Sequence, residues 1–339
     1  MPATLHEDTW PNTLEPTSAQ DPAPPGAGAV TLAVLPDTQY YALCNSPHLK
    51  RQSEWLSTLA KTRTLAGVVH LGDLTESNTD VEWQYVKDAL SPLRTVAPVL
   101  LATGNHDYGE LGKADKRTTL FQKYFHDPSP LTQSAVVETL VPGDLENAYY
   151  RVNLGRSALG VLILEWSPRT ATVAWANEVL RRHAADRVIF LTHAYLFHDS
   201  TRYDFKRRGA TEQPWNPLAY GTARAPDGSG RPNSEGAYDG EMLWQDLLKR
   251  HRGIFLTLNG HVLGDGTGLL SSRGDSGNTV HQVLSNYQML DQGGLGYLRL
   301  LEFQPDGRTL RIKTYSPSLA LFATAPDQNF ELTISPPLW

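Results

Sequence analysis

From residue 30 onward the chain alternates short, unbroken apolar runs with amphipathic stretches. Val30 to Leu35 (VTLAVL) carries almost no polar face, the pattern of a strand covered on both sides. Residues 51–63 then place Trp55, Leu56 and Leu59 along one side of a helix. Gly67 to Leu71 repeats the strand pattern, and residues 80–91 repeat the helical one with Trp83, Val86 and Leu90 on its face. A third apolar strand follows at 96–102. Strand-helix repeats of this kind predict a parallel sheet with right-handed crossovers, whose ligand site lies beyond the carboxyl ends of its strands.

Further along, residues 115–126 read as helical, and NAYYRV followed by ALGVLILE reads as a hairpin returning to the core. A helix at 172–184 precedes the buried run Arg187 to Leu191. Residues 198–236 are polar, rich in Gly, Pro, Asn and Arg, and aperiodic, as expected of a lid or substrate loop. A helix at 239–251 leads into the strand Gly253 to Leu258. Short runs at 278–285, 296–303, 308–314 and 328–334, separated by turn residues, predict antiparallel strands. Residues 1–28 are rich in Pro, Ala, Thr and acidic groups and read as a disordered leader, with one domain over 29–339.

Composition narrows the picture. With 40% hydrophobic and 19% charged residues the chain has the make-up of a globular domain. A net charge of −6, with only Lys206-Arg207-Arg208 as a basic run, argues against a nucleic-acid partner. No run approaches the roughly 20 apolar residues of a membrane span. The single cysteine, Cys44, excludes an intramolecular disulfide and a thiolate metal cluster. The compartment is not legible; removal of an upstream signal peptide would make the chain secreted or periplasmic.

The strand ends carry the chemistry. The first run stops at Asp37-Thr38-Gln39, the second at Gly72-Asp73 and the third at Gly104-Asn105-His106-Asp107. Later runs stop at Thr192-His193 and at Asn259-Gly260-His261. Carboxylate, amide oxygen and imidazole are the ligand set of Mn, Zn, Fe or Mg, and the lack of thiolate argues against a purely structural zinc. A carboxylate open on both oxygens can bridge two cations about 3.5–4 Å apart, a clamp for displacement at phosphorus.

In order and spacing, Asp37-x-Gln39, Gly72-Asp73, Gly104-Asn105-His106-Asp107, Thr192-His193 and Gly260-His261 resemble the calcineurin-like metallophosphoesterases, over about residues 30 to 265. The resemblance implies an α/β fold, a four-layer α/β/β/α sandwich of two mixed β-sheets flanked by helices. It implies two divalent metal ions, with Asp73 bridging them, Asn105, His193 and His261 completing one position, and Asp37 and Gln39 holding the other. His106 would act outside the metals as proton donor or transition-state stabiliser, oriented by Asp107. The implied activity is hydrolysis of a small phosphoester, as a phosphodiesterase or broad-specificity phosphatase, by in-line attack of hydroxide generated at the metals.

Two departures from the family pattern bear on this. Gln39 stands where a histidine is usual, and a hard amide oxygen tilts the site from Zn towards Mn, Mg or Ca, with Mn favoured. Leu263 stands where the last motif usually has a second histidine, and Glu76, Asp265, Glu165 or water are the candidate replacements. The rival reading is therefore a binding protein of the same fold, its turnover weakened by one incomplete metal site. Tyr40, Tyr108, His198 and Arg202 flank the motifs as candidate substrate contacts, against ordinary packing for the tyrosines and a solvated loop for the other two. Asn286 and Gln288 end a strand that can approach the site.

Overall fold

Strands form where the apolar runs lie, because a run apolar on both faces is stable only between two covering layers. The computed structural model describes residues 14–225 and 227–339. Its first strands are β1 (Thr17–Ser18), β2 (Val30–Leu35), β3 (Thr64–His70), β4 (Val99–Leu101), β5 (Val136–Thr139), β6 (Ala148–Asn153), β7 (Ala158–Ile163) and β8 (Arg187–Leu191). The later ones are β9 (Ile254–Asn259), β10 (Thr267–Arg273), β11 (Thr279–Ser285), β12 (Leu298–Phe303), β13 (Thr309–Ser316), β14 (Leu321–Ala323) and β15 (Asn329–Thr333). The helices are α1 (Gln39–Leu43), α2 (His48–Leu59), α3 (Asp80–Ala89), α4 (Phe121–Tyr124), α5 (Thr170–Arg182), α6 (Phe205–Glu212), α7 (Gly240–Asp246) and α8 (Asp291–Gly294).

Two mixed sheets result. The first runs β1-β14-β13-β12-β2-β3-β4 with β15 on β13, and the second runs β10-β11-β9-β8-β7-β6-β5. Within the first, β2, β3 and β4 are parallel, as the strand-helix repeats predict. Within the second, β7, β8, β9 and β11 are parallel. Period-two alternation sorts the side chains between layers. In β8, Ile189 and Leu191 join the core that the two sheets share, whereas Val188 and Phe190 join an outer core with Val173 and Ala176 of α5 and Leu243 of α7. Leu49 and Leu56 of α2 and Trp83 and Val86 of α3 pack with the first sheet. The architecture is the four-layer α/β/β/α sandwich. Among the described residues no helix is long and apolar enough to cross a membrane.

Several elements differ from expectation. The helix expected at 115–126 is only α4, because Gly109, Leu111, Gly112 and Ala114 all adopt positive φ and keep the preceding chain in tight turns. The expected helix at 239–251 breaks at Leu247 (φ −132°) and resumes as a 3₁₀ turn, Leu248–Arg250. β11 is not purely antiparallel, since it joins β9 in parallel and β10 antiparallel. β10 carries only a half-buried alternation, typical of an edge strand, and was not legible.

The leader is also corrected. Residues 1–13 lie outside the described residues, but Thr17 and Ser18 pair with Ala323 and Phe322. Asp21 accepts from the fully buried Lys313 Nζ at 2.9 and 2.8 Å, and Lys313 also meets Glu302 at 2.7 Å. Arg63, just past α2, joins the same cluster through Glu302 (3.0 Å) and Asp21 (3.3 Å). A buried ammonium needs compensating charge, so an acid that composition assigned to a disordered stretch is held in place by it.

Candidate metal centre

Strand ends β2, β3 and β4 are locked together by their own turns. Gly72 has φ +103°, and a Cβ there would lie 2.6 Å from His193 Nδ1 and 2.9 Å from Gly104 N, so only glycine fits. The N–H of Gly72 donates to His70 Nδ1 at 3.2 Å, which leaves the proton on Nε2 to donate to Thr38 Oγ1 at 3.0 Å. Burial, reinforced by the charge of His193, lowers the His70 pKa to about 3, so the ring is neutral.

Asp73 sits at the centre, buried, with φ +50°. Its Oδ1 accepts the His106 N–H at 2.9 Å, and its Oδ2 lies 3.2 Å from Gln39 Nε2 and 3.1 Å from His193 Nε2. His193 Nδ1 is 2.8 Å from the Leu71 carbonyl, which can only accept, so Nδ1 carries a proton and Nε2 is the nitrogen turned to Asp73. His261 is held the opposite way round: its Nε2 donates to the Trp215 carbonyl at 2.8 Å, leaving Nδ1 for the cluster. Donor atoms of Asp73, His193 and His261 all lie within 4.8 Å of one another.

Asp37 Oδ2 accepts from the His261 N–H at 2.8 Å and from Asn286 Nδ2 at 3.0 Å. What remains is telling. Asp37 Oδ1, Gln39 Oε1 and Asn105 Oδ1 are buried and have no hydrogen-bond partner, and His193 Nε2 meets only the Asp73 carboxylate. The three orphans are all acceptors, and orphaned buried acceptors are costly unless something positive meets them. Burial and the charge of Asp73 hold Asp37 well above the usual carboxylate range, against the pull of His193. Burial alone would lower His193, but the charges of Asp73 and Asp37 outweigh it and raise the ring to about 9, so with no cation bound Nε2 is protonated towards Asp73, a proton that a cation would displace. The donor set fits a hard to borderline divalent cation.

The other expected residues divide sharply. His106 Nδ1 donates to the Glu76 carbonyl at 3.0 Å and lies 3.4 Å from Glu76 Oε2, with the ring partly exposed. Asp107 does not orient His106. Its carboxylate accepts from Gly104 N (2.8 Å), Leu74 N (3.2 Å), Thr75 N (2.9 Å) and Thr75 Oγ1 (2.9 Å), tying two strand ends together. Tyr40, half-buried on α1, has its phenol pushed up by burial and by the charges of Glu76 and Asp73, so it faces the centre's field.

Tyr108 is no surface contact: it is fully buried, with its hydroxyl on Thr103 Oγ1 (2.9 Å) and Glu146 Oε1. Arg202 is a structural tie, bonded to Glu241 (2.6 Å), Ser272 (3.1 Å) and Gln282 (3.1 Å) and lying over Trp244. His198 packs on Phe197, with ring centroids 4.2 Å apart, and against Gly264. Of the candidate replacements for the imidazole missing at Leu263, Glu165 is already bonded by Arg169 and Thr172, and Asp265 accepts the Thr267 N–H at 3.0 Å.

Aromatic walls were missed in the sequence. The Trp166 ring lies 5.7 Å from His193 and 5.1 Å from His261, and Tyr220 lies 6.2 Å from His261. Trp166 follows the end of β7, so its strand-end position was the available signal. Trp215 contributes a main-chain carbonyl, for which no side-chain signal exists.

Carboxylate, amide and imidazole groups at the strand ends thus converge on Asp73. The chain belongs to the calcineurin-like phosphoesterase family, whose model matches residues 30–262, and that family uses divalent metals in phosphoester hydrolysis. The chain is 27% identical over 308 residues to the uncharacterized protein YvnB of Bacillus subtilis (strain 168), a match covering 88% of this chain and 21% of that protein. The chain thus spans about a fifth of that relative's length. The solved NAD nucleotidase of Haemophilus influenzae is 12% identical with a TM-score of 0.40, covering 90% of this chain and 50% of that one.

Proposed function

We propose that the chain is a phosphodiesterase working with two divalent cations, Mn being the favoured metal. The observation that carries this is the set of buried, unpartnered acceptors that converges with His193 and His261 around Asp73. In this reading Asp73 bridges, Asn105, His193 and His261 hold one cation, and Asp37 and Gln39 hold the other. Such cations, when bound, lower the pKa of water and screen phosphoryl charge. His106 supplies the proton that the leaving alkoxide requires. Glu76 positions it through its carbonyl on Nδ1, and burial first of all raises the Glu76 carboxyl to about 7.

Diester preference rests on what the basic side chains do. A monoester brings an extra charge that calls for a guanidinium or ammonium partner. Arg202 is committed to Glu241, Ser272 and Gln282, and Arg207 is highly exposed beside Asp204. Arg117 is spent on the carbonyls of Trp166 and Ser167. The 198–236 segment, through Trp215 and Tyr220, would wall the second ester arm.

Metal analysis combined with turnover of bis-p-nitrophenyl phosphate and p-nitrophenyl phosphate in added Mn tests this. Two metals per chain with faster diester turnover is the expected result, and two metals with no turnover of either ester overturns it. The binding-protein reading is favoured by Leu263, which leaves the Asp37 side short of a ligand, and it predicts one tightly held metal and no turnover.

A further inference from the structure

β11 ends at Ser285, and the next residue, Asn286, turns a buried side chain towards Asp37. Its main chain is clamped on both sides. The Asn286 N–H donates to the Gly266 carbonyl at 2.7 Å, and a Cβ on Gly266 would lie 1.8 Å from the Asn286 oxygen, so the two loops touch backbone to backbone. Its amide is oriented as well. Oδ1 accepts the Gln288 N–H at 3.0 Å, which fixes Nδ2 as the end facing Asp37 Oδ2 at 3.0 Å. The amide therefore faces Asp37 as a donor.

Asp37 Oδ2 receives two donors, this amide and the His261 N–H, whereas Oδ1 receives none and is buried. One carboxylate oxygen is saturated and the other is bare. We infer that Asn286 is a positioning residue that makes Asp37 a one-oxygen ligand and sets the affinity of the Asp37 side of the centre. The inference rests on the reading that Asp37 holds a cation. A carboxylate released from its outer hydrogen bonds turns about its χ angles, and loss of such partners costs about 10–100-fold in metal affinity.

The test is a Mn(II) titration of the full chain by calorimetry and by electron paramagnetic resonance, which reports spin-coupled Mn pairs. Wild type, Asn286→Leu (similar shape, no donor) and Asn286→Ala (smaller, in case the leucine does not fit) are compared. The expected result is an unchanged tighter site, about 10–100-fold weaker binding at the second, and loss of the coupled-pair signal at stoichiometric Mn. The tighter site serves as the internal check on folding. Affinities unchanged from wild type at both sites in the variants overturn the inference alone, as does an equal loss at both sites with an intact thermal transition. Wild type that takes up no second Mn overturns it together with the two-cation reading.

Discussion

The two rims that meet at the candidate centre are built differently. Strand ends β2, β3 and β4 deliver oxygen, through Asp37, Gln39, Asp73 and Asn105, whereas β8 and β9 deliver imidazole nitrogen, through His193 and His261. The three turns of the oxygen rim are tied to one another by His70, Thr38 and Asp107, and only its Asp37 carboxylate is held from the other sheet, by the His261 N–H and Asn286. The nitrogen rim leans on others: His193 donates to Leu71 of the opposite sheet, and His261 donates to Trp215 in the 198–236 segment. A site assembled across two sheets can thus brace the turns of one wall internally while the other wall takes its ring orientations from its neighbours.

Breaking the nitrogen rim has the largest expected effect. His193→Ala removes the imidazole aimed at Asp73, and metal content and diester turnover should fall together, turnover by about 10⁴-fold or more. Elemental analysis alongside kinetics checks it, and retained metal with lost turnover would sink the assignment. His106→Ala should leave metal content unchanged and slow turnover by about 10²–10⁴-fold, least for esters with good leaving groups. An emptied site in that variant would make His106 a ligand.

The self-bracing of the oxygen rim is probed by Asp107→Ala. It strands the buried N–H groups of Gly104, Leu74 and Thr75, and urea denaturation should show a loss of roughly 3 kcal/mol. A change under about 0.5 kcal/mol would mean that the rim does not depend on this carboxylate.

The smallest effect calibrates the others from a buried acid, Glu146, that meets Tyr108 beyond the β4 end. Burial, above all, raises Glu146 to about 7 despite the Tyr108 hydrogen bond. Between its unfolded value and 7 the folded chain binds more protons than the unfolded one. This contribution is complete below the unfolded value and lost as pH rises through 7. Denaturation of metal-free protein at about pH 5 and about pH 8 should show Glu146→Gln flattening the decline by on the order of 2 kcal/mol. An unaltered slope refutes the shift.

Much of this was legible in the residues. Parallel strands end where apolar runs end, so the apolar pattern alone puts Asp37, Asp73, Asn105, His193 and His261 at strand ends. The contacts that brace them could not. Asp107 stands beside His106 in sequence, yet a 3₁₀ turn over Asn105–Asp107 sends its carboxylate back to the β3 turn. Arg202 and Tyr108 lie next to motifs but point into packing, because nearness along the chain does not fix side-chain direction. Trp215 acts through its carbonyl, an atom every residue possesses.

The ammonium of Lys313 bears on how this molecule can be handled. Cutting the chain at residue 29, where amino-acid usage alone would draw the border of a minimal fragment, deletes the Asp21 carboxylate and the Ala23 carbonyl and leaves Lys313 and Arg63 to share the single carboxylate of Glu302. The opening segment is thus part of the foundation, and a shortened version would be expected to come out of cells poorly for reasons unrelated to catalysis.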